Sequence, residues 1–237
     1  MGPDGTHEDW QICEPEHLGA ISDYVKARYQ ELNCQPPKII VFKPKTAKPE
    51  NTFCGLVSHR QNGKIVKQFI IFNHRHIEKL SEEALVALAG HEVSHLGDTW
   101  LEKRHASYLN FMGLIVSIDP DLDVPTQEKI HKSQKVVHPT EIRADFNGAC
   151  AANSPQAMIE VILTDNEIVE EFGPTSPSLA HPSTEERIDA LNQLQAFLEN
   201  HPDIPIKEAA QIVLLKIIDE KYTPEKDINT RKSIVSR

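Results

Sequence analysis

The apolar pattern of this chain changes period near residue 81, and that change constrains the fold more than any other feature. Ahead of it, "KIIVF" (38–42) and "NTFCGLVSHRQNGKIVKQFIIF" (51–72) are β-rich. The second stretch holds two such runs around Asn62-Gly63, a pair that readily supplies the positive φ angles of a tight hairpin turn. Beyond residue 81 the pattern is helical: Ser81 is the N-cap, Glu82 and Glu83 fill the first turn, and apolar residues at 85, 86, 88, 89, 93 and 96 run until Gly97. Asp98 is the expected cap of a second long helix, which Asp119-Pro120 stops after Ile118. "VPTQEKIHKSQKVV" predicts a third helix, "PTEIRADFNGACAA" a fourth starting behind Pro139, and "NSPQAMIEVILTDNEIVEEF" a fifth with Ser154 as cap and Pro155 at its first position. Ser183 and Glu186 form a capping box into "ERIDALNQLQAFLEN", and a last helix covers about 205–220. Another helix, over 14–32, precedes the strands with Leu18, Ile21, Val25, Tyr29 and Leu32 at helical spacing. The expected class is α+β, mostly α. One domain would span residues 1–222, with its core at about 36–200, and a small antiparallel sheet would lead into a helical bundle. Residues 223–237 read as a polar tail.

Composition removes several function classes. A formal net charge of -10 without any basic stripe argues against nucleic acid as a partner. Cys13, Cys34, Cys54 and Cys150 show no paired short spacing, which excludes a Cys-x-x-Cys zinc module and offers no disulfide framework. Reduced thiols, together with an N-terminus lacking a basic and then apolar stretch, point to a cytoplasmic or cytosol-like compartment, with signal-less secretion as the other reading. The longest apolar run, "LNFMGLIVSI" (109–118), is about half the length of a membrane span, so no integral membrane segment is expected.

The capped helix after residue 81 carries "GHEVSHLGD", in which His91 and His95 stand four apart with Glu92 directly after the first. Positions four apart share a helix face, so both imidazoles can reach one zinc ion, while Glu92 projects about a quarter-turn away, where a general base is needed. Against this stands the plain alternative of a helix that happens to carry two histidines. The third ligand decides. Asp98 and Leu101 occupy the positions where a metzincin has glycine and histidine, so that pattern fails. Downstream candidates are Glu102, His105, Glu128, His131, His138, Glu141 and His181. Glu141 has the best surroundings: Asp145 follows one turn later on the same face and can accept a ligand histidine N–H, and the alanines and Gly148 would let this helix approach the histidine helix closely.

"NTFCG", "LSEEALVALAGHEVSHL", "EIRADFNGA" and "HPSTEERI" stand in the order and approximate spacing of the gluzincin metallopeptidases of the CAAX prenyl endopeptidase, HtpX and Oma type, which this chain resembles over about residues 50–190. The resemblance implies a zincin-like fold and one zinc ion per chain held by His91, His95 and Glu141. It implies Glu92 as general base, Asp145 as the orienter of a ligand histidine, and His181 and Arg187 near the site, with His181 on the metal or on the reaction intermediate. The transmembrane helices of most members have no counterpart here, Ser94 replaces a customary glycine, and Ser183 replaces a proline.

The expected activity is zinc-dependent endopeptidase cleavage of a protein or peptide lying extended along a strand edge, for which Phe53, Cys54 and Gly55 are the candidates, with His59 further along. Two other classes compete: a latent or non-proteolytic zinc-binding interaction protein, including a secreted effector, and a metal-free helical interaction protein.

Overall fold

The computed structural model describes residues 10–13, 18–31, 36–44, 54–61, 64–118, 120–172 and 178–222. The expected hairpin turn Asn62-Gly63, Phe53 of the expected substrate edge, Cys34 and the tail 223–237 lie outside the described residues. The chain is mostly helical with one small sheet, an α+β class.

The first elements are β1 (Trp10–Cys13), α1 (Gly19–Glu31), β2 (Lys38–Pro44), β3 (Gly55–Gln61) and β4 (Lys64–Asn73). The four strands lie in the order β1-β2-β4-β3. β1 pairs with β2 and β3 with β4 antiparallel, but β2 and β4 run parallel in the register Ile39↔Ile70 and Val41↔Phe72. The sheet is therefore mixed rather than antiparallel. Because β4 takes the centre and β3 folds back to the outside, β4 meets β2 pointing the same way. β3 is left as an edge. β1, Trp10-Gln11-Ile12-Cys13, is only four residues long, too short a run to stand out, and was not anticipated from the sequence.

After the short α2 (His74–Lys79) the chain enters α3 (Glu82–Ser94). Ser81 caps α3 by accepting from the Ala84 N–H, and Glu160 receives both the N–H and the hydroxyl of Ser81. Ala84, Leu85 and every residue from Ala87 to Val93 are buried, as befits a helix enclosed on all sides. Its neighbours are α1, α5 (Val124–Ala152) and α6 (Pro155–Phe172); α4 (Trp100–Ile118) packs on α5 instead, and α7 (Thr184–Asn200) and α8 (Ile206–Ile217) follow with a closing turn to Tyr222. A large cluster joins Ile21, Val25 and Tyr29 of α1, Val41, Ile70 and Phe72 of the sheet, and apolar residues of α3, α5, α6, α7 and α8. A smaller one, of Leu109, Met112, Ile130, Val137 and Ala180, seats α4 on the first half of α5.

Two local expectations are corrected. The segments expected as a third and a fourth helix are one 29-residue helix, α5, with Pro139 inside it. Proline cannot donate to the Lys135 carbonyl, yet the buried stripe Ile130, Ser133, Val137, Thr140, Glu141, Ala144 and Asp145 continues across the break, so packing holds what the backbone alone would interrupt. Asp98 does not cap α4. Thr99 does, in a capping box: its hydroxyl accepts from the Glu102 N–H while the Glu102 carboxylate accepts from the Thr99 N–H.

Where α3 crosses α5, Gly90 faces Ala151 and Gly148 faces the Ala87 carbonyl. A Cβ built on Gly90 would stand 2.5 Å from the Ala151 Cβ, and one on Gly148 would stand 2.6 Å from the Ala87 oxygen. The two helices touch backbone to backbone, and this closeness brings the Glu141 carboxylate up to the histidines. Among the described residues no helix is long and apolar enough to cross a membrane.

Candidate metal centre

His91 lies in the last turn of α3, and His95 directly follows it, where the helix tightens into a 3-10 turn over His95–Gly97. Both imidazoles are turned by the same device. His91 Nδ1 lies 2.9 Å from Asp145 Oδ1, and His95 Nδ1 lies 2.8 Å from Asp98 Oδ2. A carboxylate at Nδ1 accepts its proton, which fixes the tautomer and leaves a lone pair on Nε2. The two Nε2 atoms face each other at 3.3 Å. Glu141 Oε2 lies 3.7 Å from His91 Nε2 and 3.9 Å from His95 Nε2.

Each orienting aspartate is held in turn by an arginine. Arg187 of α7 grips Asp145 with Nε–Oδ2 at 2.8 Å and Nη2–Oδ1 at 2.6 Å, and Arg143 of α5 donates to Asp98 Oδ1 at 2.9 Å. Asp145 is fully buried. Burial alone would raise its carboxyl, but the Arg187 guanidinium outweighs that and, helped by His91, holds it well below the usual carboxylate range. Burial likewise works against charge on His95, and the Asp98 hydrogen bond with the nearby Glu141 and Glu92 carboxylates overcomes it, pushing the imidazole up to about 9.

The arrangement passes a chemical test for a cation. Glu141 Oε2 is buried and makes no hydrogen bond among the described residues, although imidazole nitrogens surround it. With both Nδ1 atoms turned to aspartates, the two Nε2 atoms and a carboxylate oxygen converge, and a metal ion bound among them would take the place of the proton His95 carries there. A buried acceptor without a hydrogen bond is costly, and a positive charge at the centre of the three offsets that cost. Ligands about 2.0–2.1 Å from one ion at tetrahedral angles lie about 3.3 Å apart, close to the spacing seen here. His91, His95 and Glu141 could thus hold a metal ion, and they are the one group of this kind among the described residues.

Glu92 follows His91 in the same turn and is buried. His181 approaches from the loop ahead of α7: its Nε2 lies 3.3 Å from Glu141 Oε2, and its Nδ1 lies 2.6 Å from the Ser178 hydroxyl. With 46 % of its side chain exposed it stands at the mouth of the site rather than inside it. The remaining third-ligand candidates are engaged elsewhere or apart. Glu102 accepts from Thr140 and lies near Arg143, His105 binds Ser133, His138 Nε2 faces the Leu179 carbonyl, and Glu128 and His131 are exposed. Of the expected substrate edge, Gly55 is buried at the start of β3, Cys54 immediately precedes it, and His59 pairs with Lys67 in the strand ladder.

Asp98, Arg143 and Ser178 were not foreseen as parts of the site. The signal for Asp98 was present: Thr99-x-x-Glu102 is itself a capping box, which frees the preceding aspartate for the histidine three residues earlier. Arg143 lies between Glu141 and Asp145 on α5 and carried no motif of its own.

Fold and site together define a mostly helical α+β protein with a buried His/His/Glu group able to hold a metal ion. No protein-family model, no curated protein and no solved structure matches the chain.

Proposed function

We propose that this protein is a zinc-dependent endopeptidase with a zincin-like, gluzincin-type site, in which His91, His95 and Glu141 hold one zinc ion and Glu92 is the general base. The observation that carries the reading is the convergence of two oriented Nε2 atoms on the partnerless Glu141 oxygen, with a buried carboxylate one residue from the first histidine. Two nitrogens and one oxygen from protein, rather than four protein ligands, favour a catalytic over a structural ion. Zinc, when bound, supplies Lewis-acid polarisation of the scissile carbonyl and makes water more acidic.

Every other part of the reaction falls to the chain. Glu92 takes the proton of the attacking water and returns it to the leaving amine. Its neighbours give it reason to stay close: it shares a turn with His91, and that turn is locked by Asp145 and Arg187. His181, hydrogen-bonded through Nδ1 to Ser178, presents Nε2 toward the site and stabilises the oxyanion. The protein or peptide substrate lies extended along the edge strand β3, its backbone pairing with the strand as a further ladder.

One observation favours a second reading. His181 Nε2 stands closer to Glu141 Oε2 than either His91 or His95 does, so His181 can serve as a fourth ligand in a latent or non-proteolytic zinc protein. One set of variants separates the two. Glu92→Gln should keep stoichiometric zinc and lose cleavage of unfolded protein substrates by at least about a hundredfold, whereas Glu141→Ala should lose zinc at low free-zinc concentration. Activity retained in Glu92→Gln refutes the mechanism; activity gained in His181→Ala supports the latent form.

A further inference from the structure

Outside the metal centre, three chemically reactive side chains from three separate segments stand in a line. Cys54 Sγ lies 3.3 Å from His76 Nδ1, and His76 Nε2 lies 3.2 Å from Asp165 Oδ1. Cys54 precedes β3, His76 belongs to α2 and Asp165 to α6. His76 is enclosed, with 1 % of its side chain exposed, while Cys54 is half-buried. The Asn73 N–H donates to the same sulfur at 3.2 Å, and the Asn73 side chain accepts from the Arg75 N–H, which anchors the donor at the head of α2.

A histidine held only for structure can spend its nitrogens on backbone carbonyls or water. His76 spends both on groups that favour its charged form. With Asp165 accepting the Nε2 proton, Nδ1 is left as a base turned toward a thiol, and the thiolate formed by proton transfer keeps two donors, Nδ1–H and the Asn73 N–H. Burial disfavours charge on His76, but the sulfur and Asp165 overcome it and push the imidazole up to about 10. Desolvation works against charge on Asp165, but the His76 hydrogen bond, helped by Arg187 and His181 across the α6–α7 side, holds its partly exposed carboxyl below the ordinary carboxylate range. The other charges on α2 are engaged elsewhere: Arg75 and Lys79 pair with Glu171 and Glu167 of α6, and His74 pairs with Glu78. Cys150 offers the contrast, since burial pushes its thiol up to about 11.

We propose that Cys54, activated by His76 and Asp165, is a nucleophilic modification site that exchanges with small disulfides. The Cys54 thiolate attacks one sulfur of R–S–S–R; a Cys54–sulfur bond forms, the original S–S bond breaks, and its electron pair leaves on the second sulfur, which takes the proton held by His76. Cys54 is thereby oxidised to a mixed disulfide and the departing thiol is the reduced product. The site is distinct from the His/His/Glu group, and its chemistry stands whether or not that group holds zinc.

The test uses the full-length protein and bis(2-hydroxyethyl) disulfide, a small neutral probe, with adduct formation followed at each cysteine by peptide mass spectrometry between pH 5.5 and 9. An ordinary thiol, with its pKa near 8.5, slows about tenfold per pH unit on the acid side. Cys54 should instead keep its rate within about threefold from pH 8.5 down to pH 6 and exceed Cys150 at pH 7 by at least about tenfold. Asp165→Asn, whose side chain reaches the surface, and His76→Gln should restore the steep profile and slow the pH 7 reaction by about tenfold or more. A wild-type rate at Cys54 that falls tenfold per unit below pH 8.5, or a Cys54 that stays unmodified while the protein is folded, overturns the proposal. The wild-type profile decides even where His76→Gln fails to fold.

Discussion

Replacing Gly148 with alanine tests the idea that backbone contact between α3 and α5 assembles the metal centre. At an unencumbered helix position this change stabilises by about 1 kcal/mol, because alanine costs less backbone entropy. Here the added Cβ would stand 2.6 Å from the Ala87 carbonyl oxygen and 2.7 Å from Met158 Sδ, about 0.8 Å short of ordinary contact. The methionine can swing aside. The carbonyl cannot, since it belongs to the α3 turn immediately before His91 and moves only with the helix. Overpacking of this kind costs about 1–3 kcal/mol, so the net effect is a loss of about 1 kcal/mol or slightly more where propensity alone predicts a gain. For a chain of this size that corresponds to about 2–4 °C in Tm. The assay is urea unfolding of protein stripped of metal by a chelator, so that the packing term is read without binding. Gly148 and Glu141 lie two turns apart on one face of α5, so forcing the helices apart there also draws the carboxylate from the histidines, and zinc affinity should fall by about tenfold. A Gly148→Ala protein more stable than wild type with unchanged zinc affinity would refute the close-contact account.

Two further outcomes follow from the paired aspartates. The metal-free protein holds His95 up to about 9, above its ordinary value near 6.5, so this group's stabilisation is fully present below about pH 6.5 and is lost as pH rises through about 9. Asp98→Asn should flatten that decline, which is about 3 kcal/mol at most, in urea unfolding between pH 6.5 and 9.5; an unchanged slope would show that Asp98 does not govern His95. Asp145 titrates in the opposite sense: its depressed carboxyl contributes above about pH 4, and that contribution fades as pH falls. Arg187→Met leaves the buried carboxylate without its guanidinium, at a cost of about 3–5 kcal/mol at pH 7. Because burial then favours the protonated acid, the variant should gain stability on acidification where wild type loses it, and parallel acid profiles would count against the pairing.

Much of the site was legible from local sequence because its elements are specified locally. The spacing of His91 and His95 on a capped helix fixes their shared face, the Ser183–Glu186 box starts α7, and small residues around Gly148 announce a close helix crossing. Glu141 and Asp145 were legible as a pair one turn apart, and the structure places the first beside both imidazoles and the second on His91 Nδ1. Asp98 was misread because an aspartate ahead of a helix has two uses, capping and ligand orientation, and the choice depended on Thr99 taking the cap. Pro139 was misread because its local cost is real and only the packing of α5 against α3 and α4 outweighs it.

By itself the sequence determined the class, a small sheet followed by capped amphipathic helices, and the residues with the chemistry to hold a metal, since period, caps and i, i+4 spacing are properties of neighbours along the chain. Only the tertiary structure decided the parallel pairing of β2 with β4, the two Arg–Asp–His relays that aim the imidazoles, and the line from Cys54 through His76 to Asp165. Those contacts join residues up to 89 positions apart, and what selects them is the fit of buried surfaces and charges, which no local window of sequence contains.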